Sequence, residues 1–130
     1  MEPRALKREV AMALLTTTST INGIIVLHCG GSIVLGEEST SLRTLVKELL
    51  SKFPQIVLDL RDVTHIDSSG LGTLVALHTS ARNTRGDIRL ANLGSHLSEL
   101  LQVTRLVTVF QIFDSVEQAV ASFNSAAAAT

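Results

Sequence analysis

The sequence contains one cysteine, two prolines, four phenylalanines and neither tryptophan nor tyrosine. A lone Cys29 excludes an internal disulfide and a cysteine-based zinc cluster. With so few aromatics there is almost nothing to stack on bases or sugars. An excess of one charge is also missing. Eleven Lys and Arg stand against twelve Asp and Glu, a formal net charge of −1, which argues against a nucleic-acid binder working through a clustered basic patch. The basic groups Arg82/Arg85 and Arg4/Lys7/Arg8 read as solvated faces. No apolar run approaches the ~18 residues of a membrane span; Ile24-Ile25-Val26-Leu27 is already among the longest. Arg4, Lys7 and Arg8 precede a stretch, Val10 to Leu15, that is too short and too Thr-bounded for a signal peptide. A soluble cytoplasmic protein is expected. There is no Gly-Lys-Ser/Thr of a phosphate-binding loop, and no repeat of the kind that builds a solenoid.

What is present suits one folded domain. The chain has 130 residues, 45% of them hydrophobic and 18% charged, enough to bury roughly two-thirds of its unfolded surface and too apolar to stay disordered. The expected division is an extension over residues 1–13, a domain over 14–124 and a disordered Ala-rich tail over 125–130. Asn22-Gly23 is a hairpin signal between Leu14–Thr20 and Ile24–His28, although Leu6, Val10 and Leu14 also have helical spacing. Leu42, Leu45, Val46, Leu49, Leu50 and Phe53 define a helical face, with Ser39–Ser41 as its cap and Pro54 as its stop. A buried strand follows over Gln55–Leu60. Leu71, Leu74, Val75, His78 and Ala81 mark a second helix, with Gly86 as C-cap. Ile88–Leu93 reads as a strand, Leu97, Leu100 and Leu101 as a helix, and Val107–Phe113 as the final strand. Asp114 and Glu117 open the last helix in a capping-box-like pair, and Val116, Ala119, Val120 and Phe123 form its inner face. The order β-β-α-β-α-β-α-β-α predicts an α/β domain. Its sheet of about five strands would be mostly parallel, mixed by the antiparallel hairpin, with about four helices.

The informative stretch is His65-Ile66-Asp67-Ser68-Ser69-Gly70-Leu71-Gly72, which follows a buried strand and opens a helix at the carboxyl end of the sheet, where α/β proteins place their sites. Either Asp67 or Ser68 can cap that helix. The first-turn amides of Gly70 and Leu71 would then be free donors, and Gly70 and Gly72 would let another surface approach the backbone.

Ile56-Val57-Leu58-Asp59-Leu60, Val63 and Ile66 to Gly72 together resemble the core of STAS domains, most closely the bacterial anti-sigma factor antagonists. Phe110 to Ala119 is similar to that family's last strand and helix. The resemblance implies an STAS-like single domain that is not an enzyme and needs no cofactor or metal. It implies a protein that regulates transcription by partner switching. The unphosphorylated protein binds an anti-sigma factor that is also a serine kinase, phosphorylation of a serine in the motif dissociates the pair, and a phosphatase would reverse it. By position that serine is Ser68, with Ser69 as the alternative. Asp67, Ser68, Ser69, Gly70, Leu71, Gly72 and Thr73 form the expected partner-binding segment, with Ile66 and Leu74 adding apolar surface.

Two positions depart from the family. Val34 replaces an aspartate common in Gly-x-Leu-Asp, leaving Glu37 and Glu38 as substitutes, and Arg105 stands where glycine is common. A diverged member could instead be a stressosome-type scaffold or an accessory subunit of a lipid-transport complex. Other classes fit less well. His65, Asp67 and Ser69 lack the Gly-x-Ser-x-Gly setting of a hydrolase. Asp59, Asp62 and Asp67 suggest a phosphoaspartate receiver, but the late lysine that receivers require is missing. His28 and Cys29 are strand neighbours pointing to opposite faces, so they cannot form a dyad. The edge at Thr16–Thr20 is a candidate dimer contact.

Overall fold

The structure, a computed structural model, describes residues 14–34 and 36–129, the side chains of residues 37–39 and 124–129 excepted. The elements run β1 (Leu14–Ile21), β2 (Ile24–Ile33), α1 (Glu37–Leu50), β3 (Gln55–Ile66), α2 (Ser68–Asn83), β4 (Asp87–Ala91), α3 (Ser95–Val103), a 3-10 turn (Leu106–Thr108), β5 (Ile112–Phe113) and α4 (Val116–Ala129). The five strands lie in the order β1-β2-β3-β4-β5. The β1–β2 pair is antiparallel and the other pairs are parallel, so the expected mixed α/β architecture is present. Asn22 and Gly23 both have positive φ, 53° and 81°, as a two-residue turn matching the strand twist requires.

Alternation along β2 explains why the sheet is covered on both sides. Ile25, Leu27 and Cys29 face a large core completed by Leu42, Val46 and Leu50 of α1, Leu71, Leu74 and Leu77 of α2, and Leu97 and Leu101 of α3. Ile24 and Val26 face the other way, against Val57, Ala91 and the Val116, Ala119, Val120 and Phe123 face of α4. Each Val, Leu, Ile or Phe among them contributes about 1.5–3 kcal/mol when fully buried. Arg89 ties α4 down. Its Nε donates to Asp87 Oδ2 at 3.0 Å, a terminal nitrogen donates to Ser122 Oγ at 2.6 Å, and the guanidinium lies 4.0 Å from the centre of the Phe123 ring.

Several boundaries differ from the sequence reading. The strand expected to stop at Leu60 continues to Ile66, because Asp62, Val63, His65 and Ile66 stay paired with the end of β2 although, of these, only Ile66 is buried. His65 is therefore a strand residue paired with Ser32, and Asp62 pairs with Gly30. The strand expected over Val107–Phe113 shrinks to Ile112–Phe113. The β-branched Val107 and Val109 that suggested it remain exposed around a 3-10 turn. Helix α1 starts at Glu37 with Gly36 as N-cap, ahead of Ser39–Ser41. The backbone of the Ala-rich end continues α4 to Ala129, in keeping with alanine's helix propensity. Leu6 and Val10 lie outside the described residues.

Gly86 has a different role from the one its position suggested. The left-handed residue after α2 is Arg85, at φ 64°. Gly86 N–H donates to Ala81 O at 2.7 Å and Arg85 N–H to Arg82 O at 3.1 Å, the bonding of a Schellman end. Glycine is required at 86 because a Cβ there would lie 2.2 Å from the Pro54 carbonyl oxygen. Gly86→Ala is expected to lower stability by about 1–3 kcal/mol through overpacking, read as a lower urea midpoint at unchanged slope.

Candidate functional site

The segment from Ile66 to Thr73 turns β3 into α2. Ile66 pairs with Ile33, the last residue of β2. Asp67 is extended and caps the helix, its Oδ1 accepting from Gly70 N–H at 2.8 Å and its carbonyl from Leu71 N–H at 2.9 Å. Of the two candidate caps it is therefore Asp67, and not Ser68, that acts. The amides of Gly70 and Leu71, expected to be free, are both bonded.

The two glycines differ. A Cβ at Gly70 would lie 1.9 Å from the Ile33 carbonyl oxygen, whereas one at Gly72 would meet nothing within 4 Å. Gly70 is thus closed off by β2, correcting the expectation that it admits a partner; only Gly72 is open. Leu71 and Thr73 are buried, as are Ile66 and Leu74, so the apolar docking surface expected from them is committed to the core. Thr73 Oγ1 donates to Ser69 O at 3.0 Å. Ser68 and Gly72 are exposed, and Asp67 and Ser69 half-buried. Ser69, Gly72 and Thr73 line one wall of an open groove of about 360 Å³ whose other wall is Thr40, Arg43 and Thr44 of α1. The accessible surface is rich in hydroxyls and carries one cation.

The competing constellations are not assembled here. His65 Nδ1 lies 3.0 Å from Thr64 Oγ1 and Asp67 is occupied by Gly70, so no triad forms with Ser69. Asp59, Asp62 and Asp67 do not converge on one edge. Among the described residues no group of three His, Cys, Asp or Glu is placed to hold a metal. Val34 is half-buried just before α1; the side chains of Glu37 and Glu38 lie outside the described residues. Arg105 adopts the left-handed conformation at φ 64°, where a side chain costs about 1–2 kcal/mol and glycine is free of that cost.

The sequence reading missed a second polar cluster, on the opposite face of the sheet. Ser19 Oγ lies 3.1 Å from His28 Nε2, and His28 Nδ1 lies 2.7 Å from Asp59 Oδ2. Asp59 Oδ1 accepts from Asn92 Nδ2–H at 2.9 Å and from Arg61 N–H at 3.2 Å. Burial pushes the Asp59 carboxyl up. The bonds from Asn92, His28 and Arg61, with the His28 charge, outweigh burial and hold it below its ordinary value. Neighbouring Cys29 faces the core, and burial, with the Asp59 charge second, pushes its thiol up to about 12. The available signal was the paired polar positions His28 and Asp59 directly after the apolar runs Ile24–Leu27 and Ile56–Leu58.

The STAS domain family matches residues 16–119, and the chain belongs to it. BtrV of Bordetella bronchiseptica, assigned provisionally as an anti-sigma factor antagonist, is 25% identical over 114 residues, covering 85% of this chain and 95% of that protein. A provisionally assigned antagonist from Thermotoga maritima superposes with a TM-score of 0.76 at 22% identity, over 82% of this chain and 92% of that one. The Bacillus cell fate determinant SpoIIAA in its phosphorylated form gives a TM-score of 0.66 at 14% identity, over 84% and 99%.

Two outcomes follow from the site's geometry. Asp67→Ala is expected to cost about 1 kcal/mol, while Asp67→Asn costs much less, because both Asp and Asn accept the capping bond; thermal unfolding checks this. The lowered Asp59 carboxyl contributes stability that is fully present above its unfolded value and is lost as pH falls through its folded value. Urea titrations at pH below about 4 should therefore show a steeper acid loss for the wild type than for Asp59→Asn.

Proposed function

We propose that this chain is an anti-sigma factor antagonist. In this reading it binds an anti-sigma factor that is also a serine kinase, through the start of α2, and is released when Ser68 is phosphorylated. The observation that carries the reading is the exposure of Ser68 at the first position of α2, directly after a cap that does not depend on it. Ser69 fits less well, since it is half-buried in the groove wall and its carbonyl holds Thr73. The resemblance to BtrV and to SpoIIAA, itself described in both phosphorylated and unphosphorylated forms, supports the same role.

The energetics favour a switch that acts on binding. A phosphoserine carries about −1.5 to −2 charges. At a helix N-terminus it gains about 0.3–1 kcal/mol, and repulsion by Asp67 is similar in size and opposite in sign, so the fold is barely affected. A partner closing over the same dianion must desolvate it, at a cost of several kcal/mol, and each 1.4 kcal/mol is about tenfold in affinity. The partner meets Ser68, Gly72 and the groove hydroxyls together with Arg43 rather than leucines, so its contacts are mainly hydrogen bonds. The chain acts by binding, in the cytoplasm, and a phosphatase resets it. No helix among the described residues is long and apolar enough to cross a membrane.

Capture from the native lysate with wild type, Ser68→Ala and Ser68→Asp, read by mass spectrometry, tests this. Wild type and Ser68→Ala should retain a kinase-like anti-sigma factor, and Ser68→Asp should lose it at least tenfold. Equal retention by all three, or a transporter or scaffold subunit as the shared partner, would overturn it.

A further inference from the structure

We propose that Ser19 is a nucleophilic serine that accepts an acyl group from an activated ester or thioester, with His28 as its general base and Asp59 as the residue that positions the imidazole. Ser19, His28 and Asp59 stand on β1, β2 and β3, three adjoining strands. Their separations, 3.1 Å and 2.7 Å, lie within the reach that activates a serine through a histidine oriented by a third group. Asp59 is itself fixed, with its second oxygen held by Asn92 and the Arg61 amide. An ionised Asp59 takes the Nδ1–H of His28, which leaves Nε2 as the acceptor for the Ser19 hydroxyl.

Burial does not explain the outer half of this chain. The Asp59 side chain is only 12% exposed and needs partners, but His28 is 39% exposed and Ser19 is exposed, where water would serve the hydroxyl equally well. Beside His28 an open groove of about 310 Å³ is lined by Leu15, Thr17, Gly30, Gly31 and Asp62. Ser19 lies outside its lining, which reaches His28, and Leu15, 48% exposed, gives the groove an apolar wall.

In the step, Ser19 Oγ attacks the acyl carbon. The Oγ–C bond forms and the bond to the leaving alkoxide or thiolate breaks. The serine proton passes to His28 Nε2 and on to the leaving group, while Asp59 stays ionised. The product is an acylated chain, marked on the face of the sheet opposite α2, so this inference stands apart from the role of Ser68.

The test is to incubate the full chain with p-nitrophenyl acetate at pH 8, following nitrophenolate release and locating the acetyl group by peptide mass mapping. One acetyl per chain on Ser19 is expected. Its rate should be at least a hundredfold lower in His28→Gln, the usual scale of general-base catalysis. Ser19→Ala, at an exposed position, keeps the fold and should remove the modification. The proposal is overturned if Ser19 is acetylated no faster than Thr17, Thr18 or Thr20, if the rate is unchanged in His28→Gln, or if the label sits elsewhere.

Discussion

The carbonyl oxygen of Ile33 occupies the space that a side chain at position 70 would need, and much of the site follows from this contact. It brings the end of β2 against the first turn of α2 and fixes where β3 must hand over to the helix. Asp67 caps at that handover, with its own N–H 3.4 Å from the same Ile33 oxygen. With the cap and Gly70 fixed in this way, Ser68 is turned outward and Leu71 inward. A surface serine is thus held by groups that do not include its own hydroxyl, an arrangement in which its chemistry can change without loosening the fold.

Much of the architecture was legible because it rests on local periodicity. The inner face of α4 can be read from Val116, Ala119, Val120 and Phe123 alone, and the hairpin from Asn22-Gly23. Boundaries failed where the physical cause was not local. Val107 and Val109 have strand propensity but lie outside any strand pair, and Asp62 and His65 are strand by pairing, although their polar side chains suggest a loop. Asp67 and Ser68 are both good caps by type, and only the bond to Gly70 separates them. Gly70 and Gly86 look like flexible residues in the sequence. Each is in fact constrained by a carbonyl from a distant element, Ile33 or Pro54. The family was legible from the Asp67 to Gly72 stretch after a buried strand. The Ser19–His28–Asp59 chain was not, because it needs the registers of two strand pairs at once.

The two faces of the sheet are used differently. On one, α1, α2 and α3 seal an apolar core and carry the Ser68 segment at their rim. On the other, α4 covers only the part of the sheet lined by Ile24, Val26, Val57 and Ala91, and the sheet beyond it bears hydrogen-bonded polar groups. Cys29 lies between these environments, chemically quiet, because its side chain points into the core while His28, one residue away, points out.

The strand order also bears on the time course of folding. The β1–β2 pair closes over the short Asn22-Gly23 turn, whereas each parallel pair encloses a whole helix or more. Hairpins form in about 1–10 μs, while pairings between residues far apart in sequence must first meet a loop-closure cost. The Thr-rich strand at the rim, which buries little, can thus find its partner early and hold β2 extended for β3. An element at the margin of the finished core would then be among the first to form.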